Sequence, residues 1–264
     1  MEWIDYHLHT NHSFDSKASM EEVCREAIRK GVAEVCFTEH YSVNTKLPTY
    51  GHMNFEDYFY SIQQCRVKFK NEIIIKAGIE LCEPHLMKDT YTDKLSGIEL
   101  DFILGSVHNI NEEKLRSYMY HKTPEEVYND FFEEVYRLVS YSDIDVIAHF
   151  DLMKRYGMTS IGNYNFLKHR DIIERILTKA IERNIGLEIN TSGLRNEKIN
   201  EAFPGMDILA MYKSLGGEIL TIGSDSHDAK SVGGHFKEAR KIAKEAGFQY
   251  IFKFDKRKPS KFVI

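Results

Sequence analysis

Trp3-Ile4-Asp5-Tyr6-His7-Leu8-His9 decides how the rest of the chain is read. Trp3–Tyr6 is a short apolar strand, and two histidines stand at its end. Residues i and i+2 of a strand point to the same face, so His7 and His9 can grip one ion together. Ligand-type residues recur where later apolar segments end: Glu39-His40, Glu80, His108, His149 and Asp225-Ser226-His227. Asp225 and His227 repeat the spacing of the first pair. Any one of these histidines alone reads as an ordinary core or surface residue. The whole set, in phase with the strands, describes a multi-metal hydrolytic centre.

The segments that carry these residues are short, apolar and β-branched. They read as strands near Trp3–Tyr6, Glu34–Thr38, Ile73–Ile79, Phe102–Val107, Val146–Ala148, Gly186–Ile189 and Ile219–Gly223. Several are near-continuous apolar runs, as parallel strands buried on both faces require. Helices alternate with them. Ser19-Met20-Glu21-Glu22 is a capping box ahead of an apolar stripe at Val23, Cys24, Ala27 and Ile28, with Gly31 as the stop. Thr123-Pro124-Glu125-Glu126 opens a helix to about Ser140. Further helices are read over Asn54–Phe69, Asp171–Arg183, Asp207–Leu215 and Lys237–Glu245. About seven β-α units in succession argue one closed or nearly closed α/β barrel. Function in such barrels sits at the C-terminal ends of the strands, where every candidate ligand but the loop residue Asp15 lies.

The chain has 264 residues, 42% of them hydrophobic, which suits one large α/β domain. No internal repeat, low-complexity tract or linker divides it, so residues 1–264 read as a single domain. A net charge of −5 gives no global basic footprint, and no nucleic-acid partner is expected. Lys253–Lys261 reads as a basic, solvated surface tail. Cys24, Cys36, Cys65 and Cys82 form no CxxC pair and read as reduced, buried thiols. No apolar run is long enough for a membrane span, and no secretory signal opens the chain, so a cytoplasmic location is expected.

His7, His9, Asp15, His40, Glu80, His108, His149, Asp225 and His227 make six histidines and three carboxylates. That is too many for one tetrahedral zinc ion. It suits two or three ions if a carboxylate, Glu80 or Asp225, bridges. Mixed nitrogen and oxygen ligation without thiolate fits Zn, Mn or Fe(II) better than Ca.

These residues fall into ordered motifs: Asp5-x-His7-x-His9-Thr10, Ser13-x-Asp15, Thr38-Glu39-His40, Gly78-x-Glu80, Gly105-Ser106-Val107-His108, Ala148-His149 and Gly223-Ser224-Asp225-x-His227. The series resembles the PHP (polymerase and histidinol phosphatase) metal-dependent phosphoesterases, over residues 3 to about 236. Within that family, Gly105–His108, His149-Phe150-Asp151-Leu152, Lys154-Arg155-Tyr156 and Asn190-Thr191-Ser192-Gly193-Leu194-Arg195 look most like the monofunctional histidinol-phosphate phosphatases. The resemblance implies a distorted (β/α)7 barrel with a trinuclear metal centre, and the nine residues above as its ligands. Glu39 stands where many members have Asp, outside the ligand set.

A phosphomonoester dianion needs further cations, and guanidinium forks match phosphate oxygens. Arg155 and Arg195, in the loops after the fifth and sixth strands, are the expected phosphate contacts. The expected chemistry is attack on phosphorus by a hydroxide bridging two ions, with a third ion, Arg155 and Arg195 neutralising the phosphoryl oxygens. Asp225 and His227 then count as catalytic as well as ligating residues. The donor to the leaving alkoxide stays open between His227 and a metal-bound water. A phosphatase acting on a nucleotide, another small phosphate or phosphotyrosine is the alternative, and a non-catalytic, metal-stabilised scaffold a further one. His12, His52, His85, His121, His169 and His235 read as structural or solvated, and Asn190 and Ser192 as pocket or loop residues. Loops Tyr41–Met53 and Cys82–Lys94 are the expected specificity walls.

Overall fold

The computed structural model describes residues 2–264. Seven parallel strands follow one another in chain order: β1 (Trp3–Leu8), β2 (Val32–Tyr41), β3 (Ile74–Cys82), β4 (Phe102–Ser106), β5 (Val146–Ile147), β6 (Gly186–Asn190) and β7 (Leu220–Gly223). The sheet closes just past the strand ends. Leu8 bridges Ser226, the Asp225 N–H donates to the His7 carbonyl at 2.8 Å, and the His9 N–H donates to the Ser226 carbonyl at 2.9 Å. The result is the nearly closed (β/α)7 barrel expected of the sequence. Its strands are buried on both faces, which is why they read as apolar runs.

The strands β2 and β3 run further than their apolar stretches, to Tyr41 and Cys82. The extra turns of ribbon carry Glu39, His40 and Glu80, polar residues that an apolar criterion stops at. Helices α1 (Met20–Arg29), α2 (Phe55–Lys68), α3 (Lys88–Leu95), α4 (Pro124–Tyr141), α5 (Arg170–Glu182), α6 (Met206–Ser214) and α7 (Phe236–Glu245) connect and cover them. The expected caps are present. Ser19 and Glu22 cap each other at α1, Thr123 and Glu126 do so at α4, and each cap is worth about 1 kcal/mol. The helix α3 lies inside the stretch read as a loop.

The C-terminal segment is not a solvated tail. It is an antiparallel hairpin, β8 (Tyr250–Asp255) and β9 (Lys258–Val263), set against the N-terminal end of the barrel. Ile251, Phe252 and Phe254 are buried. The Phe254 ring lies 4.8 Å from Phe102, and the Phe254 N–H donates to the Tyr6 hydroxyl at 2.8 Å. Arg257 donates to Asp143 at 2.7 Å and to Asp145 at 3.0 Å. The lysines that dominate the composition of this segment stand on its outer face. The three apolar residues that dock it are spread among charges and give a weak signal.

Candidate metal centre

All nine residues expected as ligands converge at the C-terminal mouth of the barrel. The first pair sets the geometry: the Nε2 atoms of His7 and His9 face each other at 3.0 Å. The partners of the other ring nitrogens fix the tautomers. His7 Nδ1 lies 2.6 Å from Glu188 Oε1, an acceptor, so it carries the proton. Ser13 gives its hydroxyl proton to Glu39 at 2.6 Å and therefore accepts from His9 Nδ1 at 3.1 Å. Both Nε2 atoms are then bare lone pairs. Glu80 Oε2 lies 3.3 Å from the first and 3.4 Å from the second, and Asp225 Oδ1 lies 3.7 and 3.6 Å away. Four electron-rich atoms point at one place in a buried site. Such a set is repulsive until a cation fills it, and these residues fit a divalent metal.

Glu80 reaches two places at once. Its Oε2 meets His7, His9 and His40, while Oε1 lies 3.0 Å from His149 Nε2 and 3.5 Å from His108 Nε2. Asp15 Oδ2 lies 3.5 Å from His40 Nε2 and 3.3 Å from His227 Nε2. The charge distribution is strongly polarised. Burial opposes ionisation of Glu80, yet His40 and His7 hold it well below the usual carboxylate range. Asp225 is held low in the same way, against burial, by His7, Arg155 and His227. Burial, with His149 and His40 alongside, pushes His108 down to about 3 and keeps its ring neutral. His7 and His9 are driven apart: burial is outweighed at His7 by Glu188, Glu80 and Asp225, which raise it, while burial and three neighbouring imidazoles lower His9. One proton shared among such groups is a poor substitute for a cation.

Two of the positions expected to ligate sit in left-handed backbone, with φ of +29° at His149 and +52° at Asp225. Non-glycine residues adopt this region rarely, and here it turns both side chains inward at strand ends. Gly223, just before this turn, has no room for a side chain: a Cβ there would stand 2.1 Å from Glu188 Oε1 and 2.4 Å from His7 Cβ.

Several supporting residues escaped the sequence reading. Glu188, buried in β6, accepts from His7 Nδ1, from the His149 N–H at 2.8 Å and from Asn190 Nδ2 at 3.0 Å. Glu83 accepts from the backbone N–H groups of His108 and Asn109 and fixes the His108 loop. A carboxylate in the middle of an otherwise apolar strand was the available signal for Glu188, since a buried charge must have partners. Cys82, read as an inert thiol, also faces the site.

A cavity of about 390 Å³ opens over the ligands, lined by Asp15, His40, Cys82, His108, Asp225 and His227 on its floor and by Arg155 on its side. Arg155 Nη2 donates to Asp225 Oδ2 at 2.9 Å and also to Ser192 Oγ. Arg195 sits behind the same loop and donates to the Ser224 carbonyl at 2.6 Å and the Asp225 carbonyl at 3.1 Å. Asn190 and Ser192 belong to this support rather than to the cavity wall. The Tyr41–Met53 loop contributes Leu47, Pro48 and Thr49 as expected. From Cys82–Lys94 only Cys82 lines this cavity, and the remaining wall is Phe14, Tyr156 and the segment with Asn109, Lys114, Leu115 and Arg116. The short hairpin after His108 folds back over the mouth, which a sequence reading by loop length misassigns. The other histidines stay outside. His85 is buried against Glu134 at 2.7 Å, His169 meets Asn129 at 2.8 Å, His12 meets Ser61 at 2.9 Å, and His235 is exposed.

Comparison with known proteins agrees with this architecture. Residues 5–192 match the PHP domain. A histidinol-phosphatase of Lactococcus lactis is 30% identical over 98% of this chain and 99% of its own length. A probable histidinol-phosphatase of Clostridium acetobutylicum is 31% identical over 96% and 97%. The crystal structure of the Lactococcus lactis histidinol phosphate phosphatase, complexed with Zn, L-histidinol and phosphate, superposes with a TM-score of 0.90 over 99% of this chain and all of that one. Among the described residues, no helix is long and apolar enough to cross a membrane. With its ligand motifs gathered at one barrel mouth and its match to the domain covering most of its length, the chain belongs to the PHP family.

Proposed function

We propose that this chain is a metal-dependent phosphomonoesterase that hydrolyses L-histidinol phosphate to L-histidinol and phosphate. The observation that carries the reading is the pair of bare Nε2 atoms of His7 and His9 facing Glu80 and Asp225 under a cavity flanked by Arg155. The near-full-length likeness to a phosphatase solved with Zn, L-histidinol and phosphate selects the substrate.

Three groups of side chains are assigned to divalent ions, with zinc the first candidate and Mn or Fe(II) the others. His7, His9, Glu80 and Asp225 form one group, Glu80, His108 and His149 a second, and Asp15, His40 and His227 a third. Glu80 would serve two of these groups, because its two oxygens face different histidines. Ions held there supply an activated water at neutral pH and positive charge against the phosphoryl oxygens.

The chain's own residues do the rest. Arg155, anchored on Asp225, presents its guanidinium to the phosphate and stays charged throughout. Arg195, expected from the sequence as a second phosphate contact, does not line the cavity; it pins the Ser224–Asp225 backbone with two N–H groups, and its charge acts on the phosphate from behind that loop. Glu188 and Ser13 hold His7 and His9 in the tautomers that leave Nε2 free. The proton for the leaving alkoxide is assigned to no single group: His227, released from its ion, and a water in the same cavity are the two candidates.

The test is phosphate release from L-histidinol phosphate by metal-replete protein, run beside a nucleoside monophosphate. Rapid turnover of the first and almost none of the second is expected. No turnover of L-histidinol phosphate by protein with verified metal content would leave the centre standing and assign it to another phosphoester.

A further inference from the structure

Cys82 differs from the other three cysteines. All four thiols are free and buried. Cys24, Cys36 and Cys65 pack within the hydrophobic core, whereas Cys82 lies outside that cluster and lines the cavity over the metal ligands. It ends β3, two residues beyond Glu80, so the alternation of the strand points both side chains to the barrel mouth. Its Sγ and one ring nitrogen each of His40 and His108 all lie within 4.8 Å of one another. A second observation points the same way. His40 Nδ1 is buried, lies 2.8 Å from Glu80 Oε2, and makes no hydrogen bond there among the described residues. A ring nitrogen of the histidine beside the sulfur is thus left without a hydrogen bond.

We propose that Cys82 is a sulfur ligand of the metal centre, supplying a thiolate to the ion of one of the two groups that His40 and His108 serve. The inference rests on the metal-centre reading above but not on the identity of the phosphoester. As the sulfur–metal bond forms, the S–H bond breaks and its proton leaves to solvent; no electron is transferred. The sulfur stands between the group around Glu80, His108 and His149 and the group around Asp15, His40 and His227. A thiolate there makes the set softer than nitrogen and oxygen ligands alone would, and it shifts preference toward zinc and away from manganese. Mixed nitrogen and oxygen ligation, the expectation from the sequence, is then incomplete by one sulfur.

The experiment is anaerobic titration of the metal-free, full-length protein with Co²⁺, followed in the visible and near ultraviolet. Wild-type protein is expected to develop visible ligand-field bands together with a near-ultraviolet sulfur-to-cobalt charge-transfer band. Cys82→Ser is expected to keep the visible bands and lose the charge-transfer band, while Cys65→Ser keeps both. In zinc and manganese competition, Cys82→Ser should lose roughly tenfold of the preference for zinc. Visible bands without the charge-transfer band in wild type, or its persistence in Cys82→Ser, would overturn the proposal and leave the metal centre intact. Absence of any cobalt binding would overturn both. If Cys82→Ser does not fold, the wild-type spectrum decides alone.

Discussion

Replacing Glu188 by Gln tests the claim that the centre is built from its supporting carboxylate outward. Glu188 receives three donors: His7 Nδ1 at 2.6 Å on one oxygen, and the His149 N–H at 2.8 Å and Asn190 Nδ2 at 3.0 Å on the other. Gln preserves size and offers one oxygen. Its amide NH₂ must then face donors on one side. If the oxygen stays with His7, the His149 N–H and Asn190 lose their acceptor; if it turns to them, His7 Nδ1 meets a donor. A buried polar group left without its partner costs about 1–3 kcal/mol. In the second arrangement His7 is free to adopt the other tautomer, which places a proton on the nitrogen that should bind metal. Loss of a carboxylate behind a ligating histidine costs roughly 10–100-fold in metal affinity or activity, equivalent to about 1.4–2.8 kcal/mol. The assay is zinc affinity by chelator competition, measured with kcat/KM for L-histidinol phosphate and the thermal midpoint of the metal-free protein. We expect zinc affinity and kcat/KM to fall together. A variant with a lowered thermal midpoint but zinc affinity and kcat/KM within about twofold of wild type would reduce Glu188 to a packing residue and refute the reasoning.

Removing the metal by chelation should abolish turnover and lower the thermal midpoint; at zinc about a thousandfold above Kd the stabilisation is about 4 kcal/mol, or roughly 8–16 °C for a chain of this size, and a midpoint indifferent to chelator and to zinc would contradict the assigned centre. Arg155→Ala should lower kcat/KM by about 100-fold, with little recovery in Arg155→Lys because the bidentate fork is lost, and unchanged kinetics would take Arg155 out of the phosphate site. Gly223→Ala should destabilise by at least about 1–3 kcal/mol and weaken zinc binding, because the added Cβ would press on Glu188 and His7; calorimetry of the metal-free protein, beside chelator competition, reads both. Burial pushes Glu83 from its ordinary 4.5 up to about 7, so the native chain holds a proton there that the unfolded chain releases between those pH values. Stability of the metal-free protein should therefore fall as pH rises through that window, by up to about 3 kcal/mol, and Glu83→Gln should flatten the fall; equal slopes in both proteins would exclude the assignment.

Much of the barrel was legible because its strands are buried on both faces and announce themselves as apolar runs. The gathering of the nine expected ligands at one mouth was legible for a related reason: polar residues at the ends of such runs have no business there without a partner. The same rule applied inside a run would have found Glu188, which interrupts Gly186–Asn190, but a single charge within a short strand is easily passed over as its edge. Cys82 carried a signal in its place two residues beyond Glu80, but the strand was read to end at Ile79, and a buried thiol is the ordinary condition of cysteine. The closing hairpin was hidden by composition, because the lysines of Lys253–Lys261 outweigh Phe254 in any average although Phe254 is the residue that docks. The wall after His108 was hidden by length, since a two-residue strand pair cannot be told from a loop.

The seam of the barrel and the metal centre are the same place. The bridge from Leu8 to Ser226 and the Asp225 N–H to the His7 carbonyl close the sheet. The side chains of His7, His9, Asp225 and His227 project from those very residues or their neighbours. Unmetallated, this seam brings the bare Nε2 lone pairs of His7 and His9 face to face, a contact that opposes closure. A cation at that point reverses the sign. On the proposed ligation, metal binding and barrel closure would be coupled through one set of atoms, with Asp225 held in left-handed backbone at their junction. A substitution at the seam cannot be neutral for one and harmful for the other. That is why Gly223, which touches neither substrate nor metal, belongs with the ligands in any account of what this chain can do.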